Sequence, residues 1–229
     1  DYARQPVKPV LDGEPCYEDH PIMIGDGETY RRSDVLFNDF HARRAIYTGV
    51  FAGACGHTYG ANGVFQCFVP EMRDPEKYAR WGLDPAIKTI RPDEFHSRFD
   101  WRESLQFPGA HQMQHAKNLM LSRPYFERIP DQNLIRSENA GGMTYVAATR
   151  AQDSSYAMIY FPCAQTVELD LSPLAPRLRA WWFDPRSGEA QRLGEYSNGV
   201  HSFSSFYSGP DWVLVLDDVS RDFGAPGRL

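Results

Sequence analysis

Glu14 is the residue whose place in the sequence most suggests chemistry. It ends the segment 8–14 (KPVLDGE), in which a short apolar run is followed by a glycine and an acid. A buried parallel strand delivers polar residues to the carboxyl edge of its sheet in this way, and in a (β/α)8 barrel that edge carries the catalytic groups. A carboxylate held there beside a hydroxyl such as that of Tyr17 can stay ionised and act as a nucleophile toward an anomeric carbon. From spacing alone, a solvated loop carboxylate is the simpler interpretation for Glu14, and more so for Glu18 and Asp12.

A second cluster of polar side chains lies in a glycine-rich segment further along the chain. His57, Tyr59, Asn62 and Gln66 offer hydrogen bonds of the kind that hold sugar hydroxyls. The glycines among them would let the backbone approach a ligand closely. Together with the apolar run 64–69, the segment predicts a short strand and a functional loop. The competing interpretation, of equal weight, is a strand-to-loop connection with one buried histidine whose hydrogen bonds are satisfied.

Two histidines on a predicted helix have the spacing of metal ligands. His111 and His115 stand four residues apart, but the metalloprotease motif requires a glutamate directly after the first histidine, and this sequence has Gln112 there. Two ordinary helix histidines are therefore the favoured interpretation. No metal and no cofactor are expected.

Tryptophans are further candidates for sugar binding, because their rings can stack on a sugar ring. The candidates are Trp81, Trp101, Trp181 and Trp182. Side chains of adjacent strand residues face opposite sides, so only one of Trp181 and Trp182 can lie in a given core. Structural packing is the favoured interpretation for each of the four.

The first half of the chain must position these groups with alternating strands and helices. Ser33 is the predicted N-cap of a helix that Gly56 would end. The apolar positions 36, 37, 40, 47, 50, 51 and 54 recur along it at helical spacing. Asp100 and Glu103 match a capping box that opens a second helix over 100–121. The order strand, helix, strand, helix is typical of an α/β fold.

The second half of the chain consists of short apolar segments separated by turn signals. Strands are predicted at 143–149, 156–161, 166–171, 179–183, 190–193, 200–206 and 212–216. The segment 184–188 (DPRSG) is a strong hairpin turn, since proline fixes φ and glycine supplies a positive φ. Seven short strands in about 80 residues predict an antiparallel β-sandwich. The polar segment 124–140 separates the halves, and the predicted domains are 1–136 and 137–229.

Composition excludes several classes of protein. The chain has 229 residues, 42% of them hydrophobic and 24% charged, which indicates a globular fold of one large or two small domains. Its net charge of −6, without a Lys/Arg block, argues against nucleic acid and anionic membranes as partners. No apolar stretch approaches the ~18 residues of a spanning helix, and the N-terminus has no signal pattern. The four cysteines lack a CxxC pair and are expected to be reduced, half-buried thiols.

Four ordered motifs resemble the apiosidase-like glycoside hydrolases. They are 8–18 (KPVLDGEPCYE), 54–60 (ACGHTYG), 107–113 (FPGAHQM) and 122–124 (SRP). Each motif alone is weakly specific, but four in order at compatible spacing are fairly specific and extend over nearly the whole chain. The resemblance implies a (β/α)8 barrel followed by a β-sandwich that is often described as collagen-binding.

The resemblance also implies which part of the barrel this sequence holds. The segment from residue 8 would be the seventh strand, the helix from Ser33 the seventh helix, 56–59 the eighth strand and 100–121 the last helix. Glu14 would then be the nucleophile of a retaining glycosidase. Tyr17 would orient its carboxylate, and the sugar subsite would be lined by His57, Tyr59, Asn62 and Gln66.

The implied barrel is incomplete in these 229 residues. A sandwich of roughly 80–90 residues leaves about 140 for a barrel that typically takes about 250. Two strands alone would leave unpaired edges and an exposed apolar face. We therefore expect a separate N-terminal barrel portion, which would close the barrel and supply the acid/base carboxyl group.

The expected function is hydrolysis of a glycosidic bond in a polysaccharide, with carbohydrate as the partner and a secreted or periplasmic location. The alternative is a non-catalytic module that binds carbohydrate or matrix protein through the sandwich. A metal-dependent hydrolase that uses His111 and His115 is the least favoured possibility.

Overall fold

The computed structural model describes residues 5–6, 8–25, 30–74 and 97–229. They belong to two compact units. The first unit comprises Asp1–Gly13, Arg43–Thr58 and Gln112–Leu229, and the second comprises Glu14–Ala42 and Tyr59–His111. Within the described ranges, no helix is long and apolar enough to cross a membrane.

Short strands and helices both occur up to residue 121, and strands dominate thereafter. The strands are β1 (Leu11–Asp12), β2 (Tyr17–Glu18), β3 (Pro21–Gly25), β4 (Tyr30–Leu36), β5 (Gly56–His57), β6 (Gly60–Ala61), β7 (Arg128–Pro130), β8 (Ala147–Ala151), β9 (Tyr156–Phe161), β10 (Thr166–Asp170), β11 (Arg177–Phe183), β12 (Ala190–Ser197), β13 (Val200–Ser204) and β14 (Trp212–Asp218). The helices are α1 (Asp39–Phe51), α2 (Asn62–Phe65), α3 (Trp101–Ser104) and α4 (Pro108–Leu121). The chain is therefore a mixed α/β protein.

A six-stranded antiparallel sheet dominates the first unit. Its strand order is β12-β11-β14-β9-β8-β7, and β10 and β13 form a separate antiparallel pair. Each of the seven strands predicted for the second half overlaps an observed strand, although the first residues of the predicted 143–149 strand belong to a 3-10 helix. The predicted turn at 184–188 joins β11 to β12, and Gly188 has the expected positive φ of 72°.

Both faces of the central strands β9 and β14 are buried. On one face, side chains of β9, β11 and β14 pack with those of β10 and β13, including Val167, Leu169 and Phe203. On the other face they pack against the last turns of α1 and α4, where Phe51 and Leu119 are fully buried. This explains why β9 (YAMIYF) is continuously apolar instead of alternating.

Buried arginines connect the helical segments to the sheet. Arg43 of α1 binds Asp211, the residue before β14, and Arg123 binds Asp217 within β14 through two hydrogen bonds of 2.7 Å.

Trp182 lies in the core shared with β10 and β13, whereas the half-buried Trp181 packs on the opposite face. The predicted opposite orientation of the two tryptophans is confirmed.

Parallel strand pairs occur in both units. In the first, β1 pairs with β5, with Leu11 opposite Gly56 and Asp12 opposite His57. In the second, β2 pairs with β6, and β3 and β4 form an antiparallel hairpin.

No disulfide is present among the described residues, which include all four cysteines. Cys55 and Cys67 are exposed, contrary to the prediction of half-buried thiols.

The predicted start and end of the first helix are wrong. Ser33 lies within β4, where pairing with β3 extends the backbone, and its hydroxyl donates to the carbonyl of Val35. The helix begins at Asp39, and the side chain of Asn38 accepts a hydrogen bond from the backbone N–H of His41, as an N-cap does. It ends before Gly53, whose φ of 106° terminates it three residues ahead of the predicted Gly56.

Two other predicted elements also differ. The apolar run 64–69 forms no strand, because its first residues complete the short helix α2. The capping box of Asp100 and Glu103 is confirmed, but it opens only α3. A separate helix starts at Pro108, since proline lacks a backbone donor and disfavours helical geometry in the residue before it.

Candidate functional site

Glu14 and Tyr17 form a hydrogen-bonded pair in the second unit. The Tyr17 hydroxyl donates to Glu14 Oε1 over 3.0 Å, and Glu14 is exposed to solvent. This hydrogen bond, followed by burial and the charge of Glu14, raises the pKa of Tyr17. The tyrosine therefore keeps its proton and donates a hydrogen bond to the carboxyl group of Glu14, a kind of group that can act as a nucleophile.

The ring of Tyr17 is fixed on two sides. It lies against Gly60, its partner in the β2–β6 register, where a β-carbon would stand 2.0 Å from a ring carbon. The ring of Phe65 lies 5.2 Å from it, centroid to centroid, at a tilt of 44°, and Phe65 is 62% exposed. The tyrosine that donates to Glu14 thus has an exposed aromatic ring beside it.

Glu18 is buried, which contradicts the interpretation of a solvated loop carboxylate. It is only 7% exposed, and its Oε2 accepts hydrogen bonds from the Tyr59 hydroxyl at 2.8 Å and from the Gly109 backbone N–H at 3.1 Å. Burial, and secondly the bond to Glu18, raise the pKa of Tyr59. A β-carbon at residue 109 would lie 2.3 Å from the same oxygen, so glycine is required there.

Asp19 organises the next turn of the second unit. Its carboxylate accepts from the backbone N–H and the side-chain Nε of Arg98, at 2.9 and 2.7 Å. Its φ of 68° is unusual for a residue other than glycine. Asn62 is fully buried and donates to the Asp19 carbonyl, and Gln66 Oε1 accepts from the backbone of Ser97. These two predicted sugar ligands therefore support the loop structure.

His57 belongs to the first unit, where it faces Asp12. Its side chain is 2% exposed, and its Nδ1 lies 3.3 Å from Asp12 Oδ2. Burial lowers the pKa of His57, and the neighbouring carboxylate opposes this effect in part. The imidazole is therefore held largely neutral. Asp12 lies in strand β1 and is half-buried, so the interpretation of it as a solvated loop carboxylate is wrong.

The structure gives the described histidine and tryptophan candidates ordinary packing contacts and no metal site. His111 is exposed, and the ring of His115 lies against Gly188 of the β11–β12 turn. The described ranges hold no group of three residues able to bind a metal. The Arg102 guanidinium lies over the ring of Trp101 at 4.5 Å. Trp81 lies outside the described residues.

Solved structures of glycoside hydrolases share this fold. One, a glycoside hydrolase, is 35% identical and matches with a TM-score of 0.78 over 97% of this chain and 45% of its own. Another, a glycoside hydrolase family 5 protein from Bacteroides vulgatus, is 32% identical, with a TM-score of 0.79 over 98% of this chain and 44% of its own. This chain therefore spans less than half the length of either. No curated protein matches it.

The similarity to these structures thus places the chain among the glycoside hydrolase-like proteins. More narrowly, it belongs to the apiosidase-like family, because the family model described as "Apiosidase-like, catalytic domain" matches residues 1–127. A second model, "Putative collagen-binding domain of a collagenase", matches residues 129–217. The family resemblance expected from the four sequence motifs is confirmed.

Proposed function

We propose that the chain supplies the nucleophile-bearing part of a retaining glycosidase, with Glu14 as the nucleophile. The observation that carries this proposal is the 3.0 Å hydrogen bond from the Tyr17 hydroxyl to Glu14 Oε1. An exposed carboxylate with one oxygen held by a phenol keeps its other oxygen available for attack on an anomeric carbon. Membership of a glycosidase family supports this assignment.

In the first chemical step, a free oxygen of Glu14 would bond to the anomeric carbon while the bond from that carbon to the leaving oxygen breaks. An acid/base carboxyl group would protonate the leaving oxygen, and in the second step it would take a proton from the water that releases the sugar. A separation of ~5–5.5 Å between the two carboxyl groups fits retention, and ~6.5–9.5 Å would make Glu14 a general base in an inverting enzyme.

The acid/base carboxyl group would come from a portion of the barrel outside these 229 residues. The support for this is that the chain spans only 45% and 44% of two similar glycoside hydrolases. A (β/α)8 barrel closes only with eight strands. The N-terminal barrel portion is therefore the proposed partner, whether it is carried on the same polypeptide or on another.

The proposed sugar-binding surface includes the side chains of Phe65 and Tyr17. Phe65 presents a 62% exposed ring beside Tyr17, and an apolar ring face can pack against the C–H face of a sugar. The sequence predicts Tyr59, Asn62 and Gln66 as direct sugar ligands. We propose instead that Tyr59 supports this surface through Glu18, and that Asn62 and Gln66 support the loop. A direct sugar contact by His57 stays a prediction.

The substrate would be a polysaccharide, and the enzyme would act in a secreted or periplasmic location. We keep 1–136 and 137–229 as the proposed domains, the first being the last two βα units of the barrel and the second a β-sandwich. The packing of β10 and β13 on the six-stranded sheet supports the sandwich assignment.

The test of this proposal is the Glu14→Gln variant in the enzyme with a complete barrel. Turnover of 4-nitrophenyl glycosides, taken from a panel of pentosides and hexosides of both anomeric configurations, should be abolished while the circular dichroism spectrum is retained. Glu138→Gln makes the same chemical change at an exposed loop position of the first unit and should leave turnover unchanged. Unchanged activity of Glu14→Gln would refute the assignment.

The family match of residues 129–217 favours a second candidate function, binding of carbohydrate or matrix protein by the β-strand region. Sedimentation of the protein with insoluble polysaccharide or with collagen fibrils would detect it. Binding without any glycosidase activity of the completed enzyme would favour this alternative over catalysis.

A further inference from the structure

We propose that Glu18 is a positioning residue: it anchors strand β2 so that the hydroxyl of the neighbouring Tyr17 stays in hydrogen-bond contact with Glu14. The link from Tyr17 to catalysis rests on the proposed function, whereas the anchoring of Tyr17 by Glu18 does not. All residues involved lie in the second unit.

Strand β2 consists of only Tyr17 and Glu18, so its backbone pairing with β6 is short. Such a short pairing fixes a strand weakly, and side-chain contacts must hold it in place. Adjacent strand residues project to opposite sides. Tyr17 accordingly reaches Glu14 and Phe65, while Glu18 reaches Tyr59 and Gly109.

The anchor at Glu18 is strong because its carboxylate is buried and bonded to two donors. Hydrogen bonds to an ionised acceptor are stronger than those between neutral groups. Gly109 is the second residue of the 14-residue helix α4, whose N-terminus favours a negative charge. The absence of a side chain at Gly109 permits the close approach, since a β-carbon would lie 2.3 Å from Glu18 Oε2.

Tyr17 has little freedom once β2 is anchored. Its ring fills the space above Gly60, and the ring of Phe65 limits its movement on another side. The phenol is thereby directed at Glu14 Oε1, which is the charged group that faces it in the described part of the chain. Glu18 therefore acts on Glu14 through Tyr17.

The experiment follows the Tyr17 phenol directly, by NMR titration of the protein labelled with 13Cζ-tyrosine, with the Tyr17 signal assigned by its loss in Tyr17→Phe. In Glu18→Gln, a neutral amide replaces the carboxylate and bonds less well to the two donors, Tyr59 and Gly109. Tyr17 should then lose part of its hydrogen bond to Glu14, and its pKa should fall toward the ordinary value of 10.0. Tyr59→Phe removes a single donor from Glu18 and should shift the Tyr17 pKa in the same direction. It provides the test if Glu18→Gln does not fold. Glu138→Gln should leave the Tyr17 titration unchanged.

Activity of the completed enzyme gives a second readout. Displacement of a reacting group by about 1 Å can cost on the order of 10² in rate, so kcat of Glu18→Gln should fall by that order with little change in KM. In a Tyr17→Phe background the Glu18→Gln change should cost much less, because its effect passes through the tyrosine.

An unchanged Tyr17 titration in a folded Glu18→Gln or Tyr59→Phe protein would overturn the proposal. An equal loss of kcat with and without the Tyr17 hydroxyl would also overturn it. If the Tyr17 titration moves while kcat is unaffected, the anchoring role of Glu18 stands and the proposed role of Tyr17 in orienting Glu14 for catalysis fails.

Discussion

Arg43 and Asp211 form a buried ion pair although 168 residues separate them in the sequence. Arg43 Nε and Nη2 each lie 2.9 Å from a different oxygen of Asp211, and both side chains are at most 2% exposed. Gln112 accepts from Arg43, and the Tyr160 hydroxyl donates to Asp211. Helix α1 is thereby joined to the residue that precedes strand β14 in the six-stranded sheet.

Removal of one partner of this pair should strongly destabilise the protein. In Asp211→Asn the Arg43 guanidinium stays buried without its counter-charge, and the free energy of unfolding should fall by about 3–5 kcal/mol. Urea denaturation followed by tryptophan fluorescence measures the change. The same acid-to-amide change at Glu189, an exposed partner of Arg228, should cost less than about 1 kcal/mol. Equal effects of the two substitutions would contradict the importance assigned to the buried pair.

A methyl group at residue 60 should disturb the candidate site without unfolding the protein. In Gly60→Ala the new β-carbon would meet the Tyr17 ring at 2.0 Å, so the ring must move and the bond to Glu14 must lengthen. We expect kcat to fall on the order of 10², by the same sensitivity to position. Gly141→Ala is the matched control, because no atom lies within 4 Å of its added carbon. Full activity in Gly60→Ala would show that the position of Tyr17 is unimportant.

The exposed ring of Phe65 should contribute to substrate binding. Loss of contact between this ring and a sugar removes apolar burial worth about 1.5–3 kcal/mol, so Phe65→Ala should raise KM roughly 10-fold or more. The substitution should also lower kcat, because the ring helps to hold Tyr17 beside Glu14. Steady-state kinetics of the completed enzyme would measure both constants. Phe126→Ala removes a ring that is 96% exposed in the first unit and should leave KM unchanged. A KM unaffected by Phe65→Ala would exclude the ring from the binding surface.

His57 should make the stability of the protein depend on pH. Its pKa is lowered in the folded state by burial, and Asp12 offsets part of this effect. Between the lowered pKa and the ordinary value of 6.5, the unfolded chain binds more protons than the folded one, so stability falls as the pH decreases through this window. Denaturant titrations between about pH 7.5 and pH 5 should show this loss, and His57→Asn should reduce it. An identical pH dependence in His57→Asn would contradict the prediction.

Local patterns predicted the second half of the chain well. All seven predicted strands occur, because turn residues such as Gly188 interrupt the apolar runs at regular intervals. Strand β7 was not predicted, since it has three residues and one of them is Pro130. The prediction that Ser33 begins a helix is wrong because β4 pairs with β3, and that pairing outweighs the capping preference of serine.

The candidate site was only partly predictable. Glu14 and Tyr17 stand three residues apart, so their proximity could be anticipated from a local pattern. Glu18 could not be recognised as buried, because its donors Tyr59 and Gly109 lie 41 and 91 residues further along the chain. The FPGAHQM motif is the sequence feature that points to these buried contacts. Gly109 within it leaves space for the Glu18 carboxylate, and Gln112 accepts a hydrogen bond from Arg43.

The role of Glu14 as the nucleophile is tested most directly with a Glu14→Gly enzyme that has a complete barrel. The measurement is the product that this enzyme forms from an activated aryl glycoside in the presence of azide. Without its nucleophile the enzyme should be inactive, and azide in the vacated space should attack the anomeric carbon and displace the phenolate. We expect restored turnover and a glycosyl azide whose anomeric configuration, determined by proton NMR, is inverted relative to the substrate. A glycosyl azide of retained configuration would instead identify Glu14 as the acid/base residue, and full activity without azide would remove it from the chemistry.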